Sequence, residues 1–179
     1  QGFFDIPVDN LFAAPTFVQH VKKNIKSKNL VCVAPDVGGV ERARAIAKRL
    51  SADLAIIDKR RSGPGTSEVM NVIGDVRNKI CIIIDDLVDS GGTIVNAATA
   101  LKNKGAKDVY AYVVHGVLTG QAVKRINNSK IKKFVISNSI LNIKKIKKSK
   151  KFQVISVASL FAEAIKRISI SKSVSKLFK

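Results

Sequence analysis

Three of the chain's 13 acidic residues fall within five positions of one another, in the stretch Ile82 to Thr93, IIIDDLVDSGGT. Asp85 and Asp86 follow an apolar run, and Asp89, Ser90, Gly91, Gly92 and Thr93 lead into what reads as a helix. Two consecutive glycines let the backbone come close to a ligand. The first N–H groups of a helix have no partner inside it, so with the Ser90 and Thr93 hydroxyls nearby they form a cradle for an anion such as phosphate. The carboxylates would repel that anion and need another partner, either sugar hydroxyls, from which they accept hydrogen bonds, or a divalent cation. A sugar phosphate satisfies both halves. Turn preference alone accounts for Asp-Ser-Gly-Gly, but it leaves the carboxylate pair ahead of the turn unexplained.

Other residues carry weaker signals. Asp36 ends an apolar run and precedes Val37-Gly38-Gly39, a pattern that an ordinary strand-to-helix turn would also give. Lys59, Arg60 and Arg61 follow a β-rich run and lead into Ser62-Gly63-Pro64-Gly65-Thr66, which is rich in hinge and turn residues. A solvated basic turn is the ordinary outcome for such a run. His115, at the end of another apolar run, falls on the side where a ligand would bind and reads equally well as a structural histidine. His20 sits in a helical segment and reads as ordinary.

The elements that must position these residues alternate regularly. Leu30–Ala34, Leu54–Ile57, Ile80–Ile84, Val109–Val114, Phe134–Ser137 and Val154–Val157 are short, nearly continuous apolar runs of the kind found in strands covered on both faces. Between them Glu41–Leu50 and Thr93–Gly105 read as helices, the second closed by Gly105 at the position that favours a left-handed residue. The expected fold is α/β: a doubly wound, mostly parallel sheet with helices on both faces, whose ligands gather beyond the carboxyl ends of the strands.

At 179 residues and 46% hydrophobic composition, one domain with a substantial core is expected over 1–179. No apolar run approaches the ~20 residues of a membrane span and no signal-peptide layout is present, so a cytoplasmic protein with no membrane partner is expected. Cys32 and Cys81 lie inside apolar runs and are expected to be buried free thiols. The net charge of +19 is concentrated at one end: residues 1–120 hold 16 Lys+Arg against 12 Asp+Glu, and residues 121–179 hold 16 against one. Much of that excess is Lys-Ile repeat, IKKIKKSKK (Ile143 to Lys151), with little aromatic interleaving for base stacking. It reads as a solvated basic face or as a lysine-biased source composition, and no nucleic-acid partner is expected.

IIIDDLVDSGGT resembles the ribose 5-phosphate fingerprint of the type I phosphoribosyltransferase fold. VAPDVGGVERARAIAKRL (Val33 to Leu50), AIIDKRR (Ala55 to Arg61), EVMNVIGDV (Glu68 to Val76) and QGFFDIPVDNL (Gln1 to Leu11) narrow this further. In order and spacing they resemble the carboxy-terminal part of the ribose-phosphate pyrophosphokinases, the PRPP synthetases. The likeness runs through about Ser129 and resumes at LFAEAIKRIS (Leu160 to Ser169).

The resemblance implies a phosphoribosyltransferase-like domain that transfers the diphosphoryl group of Mg-ATP to the 1-hydroxyl of ribose 5-phosphate, giving PRPP and AMP. It implies that Asp89, Ser90, Gly91, Gly92 and Thr93 hold the 5-phosphate and that Asp85 and Asp86 address the ribose hydroxyls. It assigns Lys59 and Arg61 to the root of a catalytic loop, Asp36 to a magnesium ligand, and Asp5 and Asp9 to a weaker cation-related role. It also implies an amino-terminal half, with most ATP contacts and a metal-binding histidine, that has no counterpart here. The chain alone is therefore expected to bind ribose 5-phosphate without full activity, and the full-length form is expected to be a homo-oligomer. Two other readings stay open: a PRPP-using phosphoribosyltransferase, and a non-catalytic regulatory or nucleic-acid-binding homologue.

Overall fold

The computed structural model describes residues 2–60, 69–141 and 143–178. Seven strands form one sheet: β1 (Leu30–Ala34), β2 (Asp53–Arg60), β3 (Val69–Ile73), β4 (Ile80–Val88), β5 (Asp108–Gly116), β6 (Lys133–Ser137) and β7 (Phe152–Ile155). Their order is β3-β2-β1-β4-β5-β6-β7, and every neighbouring pair is parallel except β2 with β3. The helices are α1 (Ala14–Asn24), α2 (Val40–Leu50), α3 (Gly92–Asn103), α4 (Ala122–Asn127), α5 (Ile143–Ile146) and α6 (Ala158–Ser169).

The near-continuous apolar strands are explained by a core on each face of the sheet. On one face Ile94, Ala97 and Leu101 of α3 and Ile126 of α4 pack on Val33, Ile57, Ile83 and Val113. On the other, Phe17 and Val21 of α1 and Ile46 of α2 pack on Cys32, Ala34, Ile84 and Tyr112. Each such aliphatic side chain contributes roughly 1.5–3 kcal/mol on burial. The strand alternation sends Cys81 into the first core and Cys32 into the second, so the two thiols lie on opposite faces, free and buried. Burial pushes both thiols up to about 12. Among the described residues no helix is long and apolar enough to cross a membrane.

Three expectations need correction. β4 does not stop at Ile84 but continues to Val88, because the ladder with β5 continues through Asp85↔Val113, Leu87↔His115 and Val88↔Gly116. Asp85 and Asp86 therefore lie inside the strand, where burial gives way to exposure. β2 likewise runs on to Arg60, which puts Lys59 in a strand opposite Met70 rather than in a turn. β3 was not expected at all: it is a short edge strand interrupted by the polar Asn71, and its pairing with β2 makes it a strand. The lysines of residues 143–150 are exposed, as expected of a solvated basic face, and Lys145 Nζ also donates to the Val117 and Leu118 carbonyls and Lys151 Nζ to that of Ser129. Gly105 stands where expected, left-handed at φ +88° just past α3.

Candidate functional site

The chain leaves β1 toward one edge of the sheet and β4 toward the other, so the adjacent carboxyl ends of these two strands form the point where a doubly wound sheet opens a crevice. Asp36 follows β1, and Asp85, Asp86 and the DSGGT turn belong to the end of β4 and the start of α3.

At the β1 end, Asp36 is extended and its Oδ1 accepts the Gly39 N–H at 2.9 Å, capping the short 3₁₀ turn Val37–Gly39. Gly39 is enclosed: a Cβ there would lie 3.4 Å from Arg42 Nη1 and 3.5 Å from Asp36 Oδ1. Arg42, in the first turn of α2, then spans the crevice to the acidic pair. Its Nη1 donates to Asp85 Oδ1 at 3.3 Å and its Nη2 to Asp86 Oδ2 at 2.6 Å.

The two carboxylates differ in setting. The Asp85 side chain is 15% exposed and that of Asp86 59% exposed. Burial raises Asp85 to about 6, a shift that the Asp86 N–H donating to Asp85 Oδ1 and the Arg42 charge oppose. Asp86 is open to a ligand on the side that Arg42 leaves free, whereas Asp85 forms the inner wall. Beside the pair a cavity of about 770 Å³ is lined by Arg42, Asp86, Leu87, His115, Phe12 and Phe178. His115 is exposed there, with Nδ1 2.9 Å from Ser139 Oγ.

In the turn, Gly91 takes φ +75° as the cap residue just ahead of α3, and no side chain caps the helix. The leading N–H groups of α3 have no intrahelical partner by helix geometry. Asp89 accepts from the Thr119 hydroxyl at 2.6 Å, and the Ser90 carbonyl accepts from Arg125.

Of the other expected residues, Lys59 is half-buried on β2, two strands from β4 in the sheet order. Arg61, together with Ser62 to Thr66, lies outside the described residues. Asp5 and Asp9 are exposed on the segment before α1. Among the described residues, no three His, Cys, Asp or Glu side chains gather to hold a metal ion. Magnesium in phosphoryl-transfer sites takes one or two carboxylates and fills its shell with substrate oxygens and water. Asp36, half-buried with one oxygen committed to Gly39, fits that sparse role and not a closed cage. His20 is structural. Its Nδ1 meets the Tyr112 hydroxyl at 2.9 Å and its Nε2 accepts from Gln153 at 2.9 Å.

Arg42, Thr119 and Arg125 were missed in the sequence. An acidic pair at a strand end signals that a cation is needed, but nothing local identifies which.

Residues 64–179 match the family model described as phosphoribosyl synthetase-associated domain. A ribose-phosphate pyrophosphokinase of Bradyrhizobium diazoefficiens is 56% identical over 178 residues, 99% of this chain and 56% of that protein. One from Brucella melitensis is also 56% identical, across 99% and 57%. The crystal structure of phosphoribosylpyrophosphate synthetase from Mycobacterium smegmatis matches with a TM-score of 0.85 at 35% identity, over 96% of this chain and 55% of that one. Purine phosphoribosyltransferase from Pyrococcus horikoshii, 20% identical with a TM-score of 0.50 over 60% of this chain and 74% of its own, shares the fold alone. This chain spans about half the length of the curated relatives it matches. Matched by the family model over most of its length and by these relatives over nearly all of it, the chain belongs to the phosphoribosyl synthetase-associated domain family.

Proposed function

We propose that this chain carries the ribose 5-phosphate half of a ribose-phosphate diphosphokinase. The observation that carries this reading is the convergence, at one strand–helix junction, of an acidic pair and an uncapped glycine-rich helix start. A sugar phosphate needs both. The 5-phosphate rests on the amides and hydroxyls of Asp89 to Thr93, and the ribose hydroxyls donate to Asp86 and Asp85. Arg42 releases part of its hold on Asp86 to admit them.

In the reaction, the 1-hydroxyl oxygen attacks the β-phosphorus of ATP. The bond from that phosphorus to the α,β-bridging oxygen breaks, AMP departs with the bridging oxygen, and the hydroxyl proton is lost. Little covalent chemistry is asked of the protein; alignment and neutralisation of oxygen charge do the work. Lys59 and Arg61 supply cationic groups, and Asp36, with Asp5 and Asp9, would help hold Mg²⁺. When bound there, the ion would supply neutralisation of the phosphate charge. The relatives' additional length is the natural source of the remaining ATP contacts, so this chain alone binds the sugar phosphate without full turnover. The full-length enzyme works in the cytoplasm as a homo-oligomer on these small molecules, supplying PRPP for nucleotide synthesis.

Calorimetric titration of the chain with ribose 5-phosphate in Mg²⁺, beside Asp85→Ala and Asp89→Ala, tests the reading. Binding that either substitution weakens by at least about tenfold is expected, since Asp85→Ala removes a charged hydrogen-bonding group and Asp89→Ala removes the tie to Thr119 that holds the turn. Failure of a folded wild-type chain to bind overturns it. Base-dependent release of pyrophosphate from PRPP would instead identify a phosphoribosyltransferase.

A further inference from the structure

The connection from β5 into α4 lies outside every stretch marked as chemical, yet it meets the DSGG turn at successive points. The Val117 and Leu118 N–H groups donate to the Val88 carbonyl at 3.0 and 3.2 Å, and the Thr119 N–H donates to the Asp89 carbonyl at 3.1 Å. The Thr119 hydroxyl donates to Asp89 Oδ1 at 2.6 Å, and the Arg125 guanidinium donates to the Ser90 carbonyl. Behind Gly91 stands Ile126, whose Cδ1 and Cγ1 would each lie 3.3 Å from a Cβ at that position.

The connection is itself held in an unusual form. Leu118 takes φ +54°, a left-handed conformation disfavoured for a branched side chain. It is kept there by its burial and by Lys145, whose ammonium donates to the Leu118 and Val117 carbonyls at 3.2 and 3.3 Å. A backbone held in a disfavoured conformation points to a geometry the fold needs, and what this one delivers is Thr119 against Asp89.

We infer that Thr119 and Arg125 are positioning residues for the phosphate cradle: Thr119 holds the Asp89 carboxylate off the helix-start amides, and Arg125 fixes the peptide that orients the Gly91 N–H. An Asp or Ser just ahead of a helix ordinarily folds onto the free amides and caps them. Here that would fill the cradle with a carboxylate and repel a phosphate. Gly91 at the cap position has no side chain to offer, Thr119 holds the nearby Asp89 carboxylate, and α3 stays uncapped. Arg125 acts through geometry, because C=O and N–H point opposite ways across a trans peptide. Anchoring the Ser90 carbonyl therefore turns the Gly91 N–H away from Arg125. This inference rests on the reading of Asp89 to Thr93 as the ribose 5-phosphate cradle.

Both residues are exposed, so their replacement leaves the core intact. The test uses this chain with Thr119→Val, Thr119→Ser, Arg125→Gln and Arg125→Lys, read in two ways. Backbone ¹⁵N order parameters of Ser90, Gly91 and Gly92 are expected to fall toward the mobile range, below about 0.6, in T119V and R125Q and to recover in T119S and R125K. The calorimetric affinity for ribose 5-phosphate is expected to fall about tenfold in T119V, the scale of one hydrogen bond to a charged group, with T119S within about twofold of wild type. In an Asp89→Ala background T119V should add nothing, because coupled residues are not additive. If the wild type fails to bind ribose 5-phosphate while the turn loosens in T119V and R125Q, the ligand assignment falls and the clamp stands. If the wild type binds and the variants bind equally well, or if T119V and Asp89→Ala add in full, the clamp has no bearing on the cradle and the inference is wrong.

Discussion

Replacing Asp85 by Asn should stabilise the protein at neutral pH while removing its sugar-phosphate affinity. Asp85 sits at the inner wall of the crevice, and burial raises its carboxyl from the ordinary 3.8 to about 6. A folded-state value above the unfolded one means that the folded chain holds the proton more tightly. The associated stability is fully present below about pH 4 and is lost as pH rises through 6. At neutral pH the charged carboxylate is thus a cost to folding. Two pH units at ~1.4 kcal/mol each give ~3 kcal/mol, and the solvent that reaches one edge of the group reduces this to roughly 1–2 kcal/mol. Asparagine keeps an oxygen to accept the Asp86 N–H and carries no charge to desolvate. For a chain of this size, the gain corresponds to a rise in Tm of roughly 2–8 °C. Thermal unfolding of wild type and Asp85→Asn between pH 4.5 and 8, with calorimetry against ribose 5-phosphate at pH 8, measures both sides. The reasoning is refuted if the variant is less stable at pH 8 or if its advantage does not shrink on acidification. Either result would mean that the pairing with Arg42, and not burial, governs Asp85.

Cys32 and Cys81, with thiols pushed up to about 12 by burial, should resist alkylation in the native protein at pH 8 and react only after unfolding, as followed by mass spectrometry. His20 is held below its ordinary value by burial and by Lys23, so the unfolded chain binds its proton more tightly. The stability it confers is present above pH 6.5 and falls away as pH drops below, and His20→Gln should flatten that part of the unfolding profile. Gly91→Ala forces a side chain to φ +75° against Ile126, which costs ~1–2 kcal/mol. The expected loss is roughly 2–8 °C in Tm, together with weaker ribose 5-phosphate binding.

Much of the candidate site was legible because its chemistry is contiguous. Asp85, Asp86 and Asp89 to Thr93 occupy one strand end and the following turn, so a short stretch carries both the carboxylates and the amide cradle. The doubly wound fold was legible for a related reason: strands covered on both faces must be apolar throughout, and that imprint is local. Strand ends were read less well. Apolarity stops at Ile84, but hydrogen bonding with β5 carries β4 on to Val88, and that partner lies far along the chain. β3 escaped notice because an edge strand needs little apolar surface, and its pairing with β2 is a property of the sheet.

The sequence by itself determined the residue types at the junction, the alternation of strand and helix, and the burial of both cysteines, because each depends on neighbours within a few positions. Only the tertiary structure decided what holds the junction in shape. Arg42 reaches Asp85 across 43 residues, Thr119 reaches Asp89 across 30 and Arg125 reaches Ser90 across 35. Such partners leave no periodic or compositional trace, since a lone Arg or Thr on a helix or connecting turn is common in any chain. Their roles exist only once the sheet order has set β1, β4 and β5 side by side.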